Sequence, residues 1–157
     1  MSFAPNNVSK VGLPAGSLLE HYRRSGDFLD CYAARSAAPV RQAAEEIVRF
    51  PGWARALIAL RNRMTTPLGL SADGPPAADK LGVFPVEAET GEEIIAGFDD
   101  RHLEFRVSVI ARHGRVSLAT WVWPHNIGGR MYLAAILPFH IAIARDAVAR
   151  VSRISGP

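Results

Sequence analysis

The chain has 157 residues, of which 48% are hydrophobic, with a formal charge of +3 and a single cysteine, Cys31. The length suits one domain with its own core, and a lone cysteine excludes an intrachain disulfide. The basic residues are scattered, which argues against a nucleic-acid partner, and the first residues lack the blocks of a secretory signal, so we expect a cytoplasmic protein.

The first third of the chain predicts an arm, one strand and two short helices. Residues 1–16 are rich in Asn, Pro and Gly and predict a loose arm, while residues 17–157 predict a single domain. An apolar run from Asp27 to Ala37 predicts the first strand. Pro39 suits the first turn of a helix over residues 40–49, and Phe-Pro-Gly breaks that helix. The second helix presents an apolar face of Trp53, Leu57, Leu60 and Met64.

Alternating apolar and polar residues then predict a run of antiparallel strands. Residues 83–89 and 92–98 flank a turn, and a corner at residues 99–101 leads into a hairpin. The two strands of the hairpin cover residues 102–109 and 116–123. Strands that follow one another in this way predict a curved antiparallel sheet.

A two-residue turn at residues 113–114 fixes the register of the hairpin, because it places Arg112 opposite Arg115. The apolar face then contains the pairs Phe105 with Val122, Val107 with Thr120, and Val109 with Leu118. We expect this face to meet the C-terminal helix. The opposite, more polar face carries Trp121 and Trp123 and is expected to look outward, either covered by long polar side chains or as the contact of a homodimer.

The C-terminal segment predicts one long helix over residues 131–152 with an apolar face at helical spacing. That face consists of Leu133, Ile136, Leu137, Ala144, Ala147, Val148 and Val151. The longest apolar stretch, from Met131 to Ala144, is too short for a bilayer and is broken by Pro138 and His140. No membrane span is therefore expected. Strands segregated from helices predict an α+β fold, with the sheet wrapped around the C-terminal helix and two short helices after the first strand.

Three stretches, the last of them in two parts, carry a resemblance to a known family that runs from about Leu13 to Val151. They are residues 60–63, 97–106, 129–133 and 138–140. In these segments the chain resembles the bacterial family of domain of unknown function 2867, and its element order resembles the START and polyketide-cyclase-like (SRPBCC) superfamily. The resemblance implies a helix-grip domain, sometimes joined to a dehydrogenase-like domain, and it implies no established activity. Ile141 departs from the family pattern, which has a basic residue after the histidine.

A sheet crossed by a long helix is a layout that forms cavities, which favours binding of a small apolar or aromatic metabolite. The residues expected to line the cavity are Phe105, Val107, Thr120 and Val122 on the sheet, Tyr132, Ile136 and His140 on the helix, and Arg61 at the mouth. His140 lies in the middle of the apolar face of the helix. It is either a core histidine bonded to another protein group, or a cavity histidine that orients a ligand or acts as a general acid or base.

Three functions remain open at this stage. The first is a small-molecule binding protein, the second is a cyclase or isomerase that uses His140, and the third is an interaction module that acts with a dehydrogenase-like partner. The sequence contains no nucleophile elbow, phosphate loop, dinucleotide fingerprint or tight metal-ligand spacing, so we predict no cofactor and no metal site.

Overall fold

A computed structural model describes residues 8–65, 76–82 and 84–154, and these residues contain one seven-stranded antiparallel sheet. The strands are β1 (Ser9–Lys10), β2 (Phe28–Arg35), β3 (Lys80–Leu81), β4 (Phe84–Glu89), β5 (Glu93–Asp99), β6 (Leu103–Arg112) and β7 (Arg115–Pro124). Their order across the sheet is β1-β2-β7-β6-β5-β4-β3. The early strand β2 therefore pairs with the last strand, β7, and β1 lies outside β2 at the edge of the sheet.

The helices comprise a short 3-10 helix at Leu18–Tyr22, α1 (Val40–Ile47), α2 (Gly52–Thr65) and α3 (Ile127–Ser152). The last helix begins four residues before the predicted start, because the Asn126 side chain accepts a hydrogen bond from the Gly129 N–H at 2.9 Å and caps the helix there. Pro138 lies inside α3 without ending it. The predicted α+β fold, a sheet with a long C-terminal helix and short helices after the first long strand, is confirmed.

The hairpin β6–β7 has the predicted register. Phe105 lies opposite Val122, Val107 opposite Thr120, Val109 opposite Leu118 and Arg112 opposite Arg115. The turn residues His113 and Gly114 have φ angles of 54° and 71°, the left-handed values of a type I′ turn. This turn matches the twist of the two strands it joins.

The main core lies between the sheet and the second half of α3. Ala144, Ala147, Val148 and Val151 are buried there against apolar residues of β2, β6 and β7 and against α1. Small side chains on the helix allow the backbone to approach the sheet closely. The predicted contact between the apolar hairpin face and the C-terminal helix is confirmed.

The opposite face of the sheet is covered by the chain itself, so the prediction that it looks outward is wrong. The segment that contains the 3-10 helix packs over β2 and β7, and Trp121 is 0% exposed beneath it, beside Leu19. Cys31 is also buried in this second core, and burial together with the charge of Asp30 raises the pKa of its thiol to about 12. Trp123 lies at the edge, where the Arg24 guanidinium stacks 4.2 Å from its ring centre.

The predicted N-terminal arm of residues 1–16 falls partly outside the described residues, since residues 1–7 are not among them. In the described part, Val8 is buried and Ser9–Lys10 pairs with β2. Residues 9–10 thus form an edge strand on β2, and the Val11 N–H donates a further hydrogen bond to the Cys31 carbonyl oxygen at 2.9 Å. The outer boundary of the domain stays a prediction.

The two longer helices expose more apolar surface than their sequence patterns predict. Trp53 and Leu60, on the expected apolar face of α2, are 45% and 55% exposed. By length and composition alone, α3 could cross a membrane, with a mean hydropathy of 1.4 over its most apolar window. Its second half is nevertheless packed in the main core, while Ile127 and Met131 near its start are 74% and 69% exposed.

The start of α3 is fixed to the sheet by a close approach at Gly129. A Cβ atom at this position would collide with the carbonyl oxygen of His102, at the start of β6. The same carbonyl accepts a hydrogen bond from the His125 N–H at 2.9 Å. Gly129 therefore sets where the helix leaves the sheet.

We predict that Gly129→Ala destabilises the fold by about 1–3 kcal/mol, the usual cost of overpacking, despite the better helix propensity of alanine. Gly52→Ala is the matched control, because Gly52 is also in a first helical turn but has open space around its Cβ position. Urea unfolding of the three proteins measures the difference. Equal stability of both variants would contradict a constraint at Gly129.

A second prediction concerns Asp27, whose carboxylate accepts hydrogen bonds from the Trp121 indole at 2.7 Å, the Arg24 N–H at 3.0 Å and Arg23 at 2.9 Å. Burial works to raise the pKa of Asp27, but these donors outweigh it and hold the pKa below its usual range. The folded-state pKa is thus lower than that of the unfolded chain. The stability that Asp27 contributes is therefore complete above about pH 4 and is lost as the pH falls through the folded-state value.

Asp27→Asn should accordingly cost about 1–2 kcal/mol at pH 7, since it weakens charge-assisted hydrogen bonds. The difference from wild type should shrink below about pH 4, where the wild-type carboxylate also takes up a proton. Urea unfolding at pH 7 and pH 3, followed by tryptophan fluorescence, tests this. A difference that is the same at both pH values would count against it.

Candidate functional site

A histidine on α3 and a buried aspartate on β2 form the central polar contact on the helix-facing side of the sheet. His140 Nε2 lies 3.0 and 3.2 Å from the two carboxylate oxygens of Asp30. The Asp30 side chain is only 4% exposed, whereas that of His140 is 22% exposed. The pair therefore joins the middle of α3 to the sheet and still reaches solvent at its histidine end.

The protonation pattern of the ring follows from its partner. A carboxylate only accepts hydrogen bonds, so Nε2 is assigned as the donor, and a neutral His140 then carries an unprotonated Nδ1. Among the described residues, no protein group is hydrogen-bonded to this second nitrogen. Nδ1 is consequently free to accept a hydrogen bond from another molecule. The Phe28 ring stands edge-on to the imidazole, with ring centres 6.2 Å apart.

The predicted lining residues of the sheet lie together on its helix-facing side. Phe105 pairs with Val122 and Val107 with Thr120, so the four form one patch across β6 and β7. Thr120 lies opposite Asp30 in the neighbouring strand pair, which extends the patch to the polar contact. Two aromatic rings enclose Phe105: Phe98 with ring centres 4.7 Å apart and Phe84 at 5.5 Å.

The predicted residues of α3 share one face of the helix. Tyr132, Ile136 and His140 follow each other at four-residue spacing and are all half-buried. Arg61 is located in α2, but its side chain lies outside the described part of the structure. The hydrogen bond between His140 on α3 and Asp30 on β2 joins this helix face to the sheet beside the patch.

Packing along α3 changes from one end to the other. In the second half, Ala144, Ala147 and Val148 are fully buried, whereas in the first half no side chain of residues 131–140 is. The sheet residues Phe105 and Val107 are likewise only half-buried. The helix thus closes on the sheet at its C-terminal end and leaves apolar surface accessible near its N-terminal end.

The segment over residues 97–106, which carries most of the resemblance, has structural contacts on the other face of the sheet. The buried Arg106 guanidinium binds Glu87 at 2.9 Å and Asp99 at 3.2 Å. Gly97 has a φ of 153°, and a Cβ atom there would collide with the backbone of β6, first with the Phe105 carbonyl oxygen and then with Arg106. Burial and the nearby charge of Asp99 raise the pKa of Glu104, which also contacts Arg106. This ion network fastens β5 to β6.

Asp30 is the one residue of the central contact that the sequence interpretation missed. A signal was present, because Asp30 interrupts the apolar run of β2 and alternates with Tyr32, which faces the main core, and with Phe28, whose ring lies beside His140. A charged residue on a buried face needs a partner, and His140 is the corresponding polar residue on the helix. Among the described residues no group of three histidines, cysteines or carboxylates could hold a metal ion.

Comparison with known proteins gives one match. The model of a family described as Protein of unknown function (DUF2867) matches residues 23–147, which include β2, the hairpin and most of α3. No curated protein and no solved structure matches the chain. The match thus covers both residues of the Asp30–His140 pair.

We predict that His140→Leu lowers the free energy of unfolding by about 1–3 kcal/mol, because it leaves the buried Asp30 carboxylate without its donor. The double variant Asp30→Leu/His140→Leu should recover most of that loss, since it removes both polar partners. Thermal and urea unfolding measure both effects. A His140→Leu protein as stable as wild type would mean that the bond to Asp30 contributes nothing to the fold.

Proposed function

The chain belongs to the DUF2867 family of proteins of unknown function, and within that family we propose that it is a binding protein for a small apolar or aromatic metabolite, held between the sheet and the first half of α3. The observation that carries the proposal is the incomplete packing of this half over an apolar patch. The second half of α3 packs tightly on the sheet, whereas its first half is only partly buried. A ligand could therefore bind beneath the first half without a change of fold.

The chemistry of the ligand follows from the polar end of this region. In the neutral form of His140 that donates from Nε2 to Asp30, Nδ1 is an acceptor, which favours a ligand that donates a hydrogen bond, such as a hydroxyl group. The negative charge of Asp30 disfavours a carboxylate at the same place. Phe28 and Phe105 favour an aromatic ring for the body of the ligand. We therefore propose a neutral, hydroxyl-bearing aromatic compound as the ligand class.

An acid–base enzyme of the cyclase or isomerase type is the second candidate. A carboxylate that holds Nε2–H and orients the ring, with the other nitrogen unprotonated, is the arrangement in which histidine acts as a general base. The same ligand hydroxyl would then lose its proton to Nδ1. The third candidate, an interaction module centred on Trp121 and Trp123, has less support, because Trp121 is buried within the chain.

The remaining proposals concern the wider setting. The sheet and its C-terminal helix support a place in the START and polyketide-cyclase-like superfamily. A bacterial, cytoplasmic protein without nucleic-acid or membrane partners is the setting we propose. A homodimer through the hairpin stays a prediction, with Trp123 rather than Trp121 as its accessible tryptophan.

Binding of 2-naphthol, a fluorescent hydroxyl-bearing aromatic probe, tests the proposed function. Ile136→Trp should weaken binding about tenfold or more, because the larger side chain occupies the space between helix and sheet. Ile127→Trp is the matched control, since Ile127 is on the same helix but largely exposed, and it should bind like wild type. Equal binding by both variants, or none by wild type, would contradict a site in this region.

Two further measurements separate the candidates. Wild type should prefer 2-naphthol to 2-naphthoate if the charge of Asp30 acts on the ligand. Native mass spectrometry of freshly purified protein reports any metabolite that stays bound. If wild type converts that metabolite and His140→Gln does not, the enzyme hypothesis is correct. If neither protein converts it, the hypothesis is excluded for that compound.

A further inference from the structure

Three arginines form a row across the sheet at the end where β6 turns into β7. Arg35 lies directly opposite Arg115 in the pair β2–β7, and Arg112 lies directly opposite Arg115 in the pair β6–β7. Residues directly opposite each other project from the same face of a sheet. Like charges in that position destabilise a sheet unless something neutralises them.

Only one of the three has a partner that offsets its charge. Arg112 binds Glu92 at 2.9 Å and the Ala15 carbonyl oxygen at 2.9 Å. Arg35 and Arg115 form no ion pair within the described residues. Elsewhere on the sheet, the buried Arg106 is bound by three carboxylates. Within the described part of the chain, Arg35 and Arg115 thus lie opposite each other without a carboxylate partner.

These two arginines border a polar cleft of about 720 Å³, together with Ser9, His113 and Gly114. The cleft is open to solvent, since all five residues that line it are exposed. The turn adds the imidazole of His113 and the Ser9 side chain adds a hydroxyl group, so the lining combines hydrogen-bonding groups with two positive charges. The cleft lies at the opposite end of the hairpin from the region next to Asp30 and His140.

From these observations we propose that the cleft binds the phosphate group of a small phosphorylated molecule. A phosphate monoester carries close to two negative charges at neutral pH, which matches the two guanidinium groups. Arginine contacts a phosphate through two parallel hydrogen bonds, and the adjacent Ser9 and His113 supply further donors. The site is separate from the one proposed for the aromatic ligand, so either one can exist without the other.

The test compares binding of inorganic phosphate and of phenyl phosphate by the full chain, using calorimetry at constant ionic strength. Arg115→Gln and Arg35→Gln should each weaken binding of phenyl phosphate about tenfold or more, as expected for loss of a charge-assisted contact. Arg130→Gln, an exposed arginine on α3, is the matched control and should bind like wild type. Tighter binding of phenyl phosphate than of inorganic phosphate identifies a phosphorylated molecule, and the reverse identifies free phosphate.

A readout that needs no ligand accompanies these measurements. In phosphate-free buffer, Arg115→Gln should melt at the same temperature as wild type or higher, because it removes repulsion from Arg35 and Arg112. A lower melting temperature would mean that Arg115 has a structural partner, and it would overturn the proposal. The proposal is also overturned if chloride produces the same response as phosphate, if the variants bind like wild type, or if a short single-stranded oligonucleotide binds more tightly than phenyl phosphate.

Discussion

The buried carboxylate of Glu93 holds the N-terminal segment on one face of the sheet, so that this face is covered. It accepts hydrogen bonds from the Ser17 hydroxyl at 2.7 Å, the Leu18 N–H at 2.9 Å and the Ser108 hydroxyl at 2.5 Å. These bonds fasten the N-terminal segment across the sheet, and a buried carboxylate would be costly without them. Because the segment is held there, that face becomes a second core, and the face below α3 is the one that keeps accessible apolar surface.

The two faces of the sheet illustrate what the sequence predicts well and what it does not. The register of β6 and β7 follows from a local turn and an alternating pattern, so it is recoverable from residues close together in the chain. The covering of Trp121 depends on a segment about a hundred residues away, whose pattern of Pro, Gly and Asn resembles an unpaired arm. Its fixation by Glu93 is a contact across 76 positions, which no local pattern records.

The same distinction applies to the candidate site. Spacing along α3 and alternation along β6 and β7 predict which residues share a face of each element, because each of these is a periodic property, whereas their role in lining a site stays a prediction. The choice between a structural and a functional His140 needed the identity of its partner, and Asp30 is 110 positions away. The structure shows the protein partner of one ring nitrogen, Asp30, and contact of the other nitrogen with a ligand stays a proposal.

Cys31 makes the N-terminal segment open to direct observation. Its thiol lies beneath that segment and its raised pKa keeps it protonated, so a thiol reagent reacts only with molecules in which the cover has detached. With a single cysteine in the chain, the labelling rate counts those openings without interference. The labelling rate of Cys31 in the native protein therefore measures local unfolding of the N-terminal segment, which exposes the second core without unfolding of the whole domain.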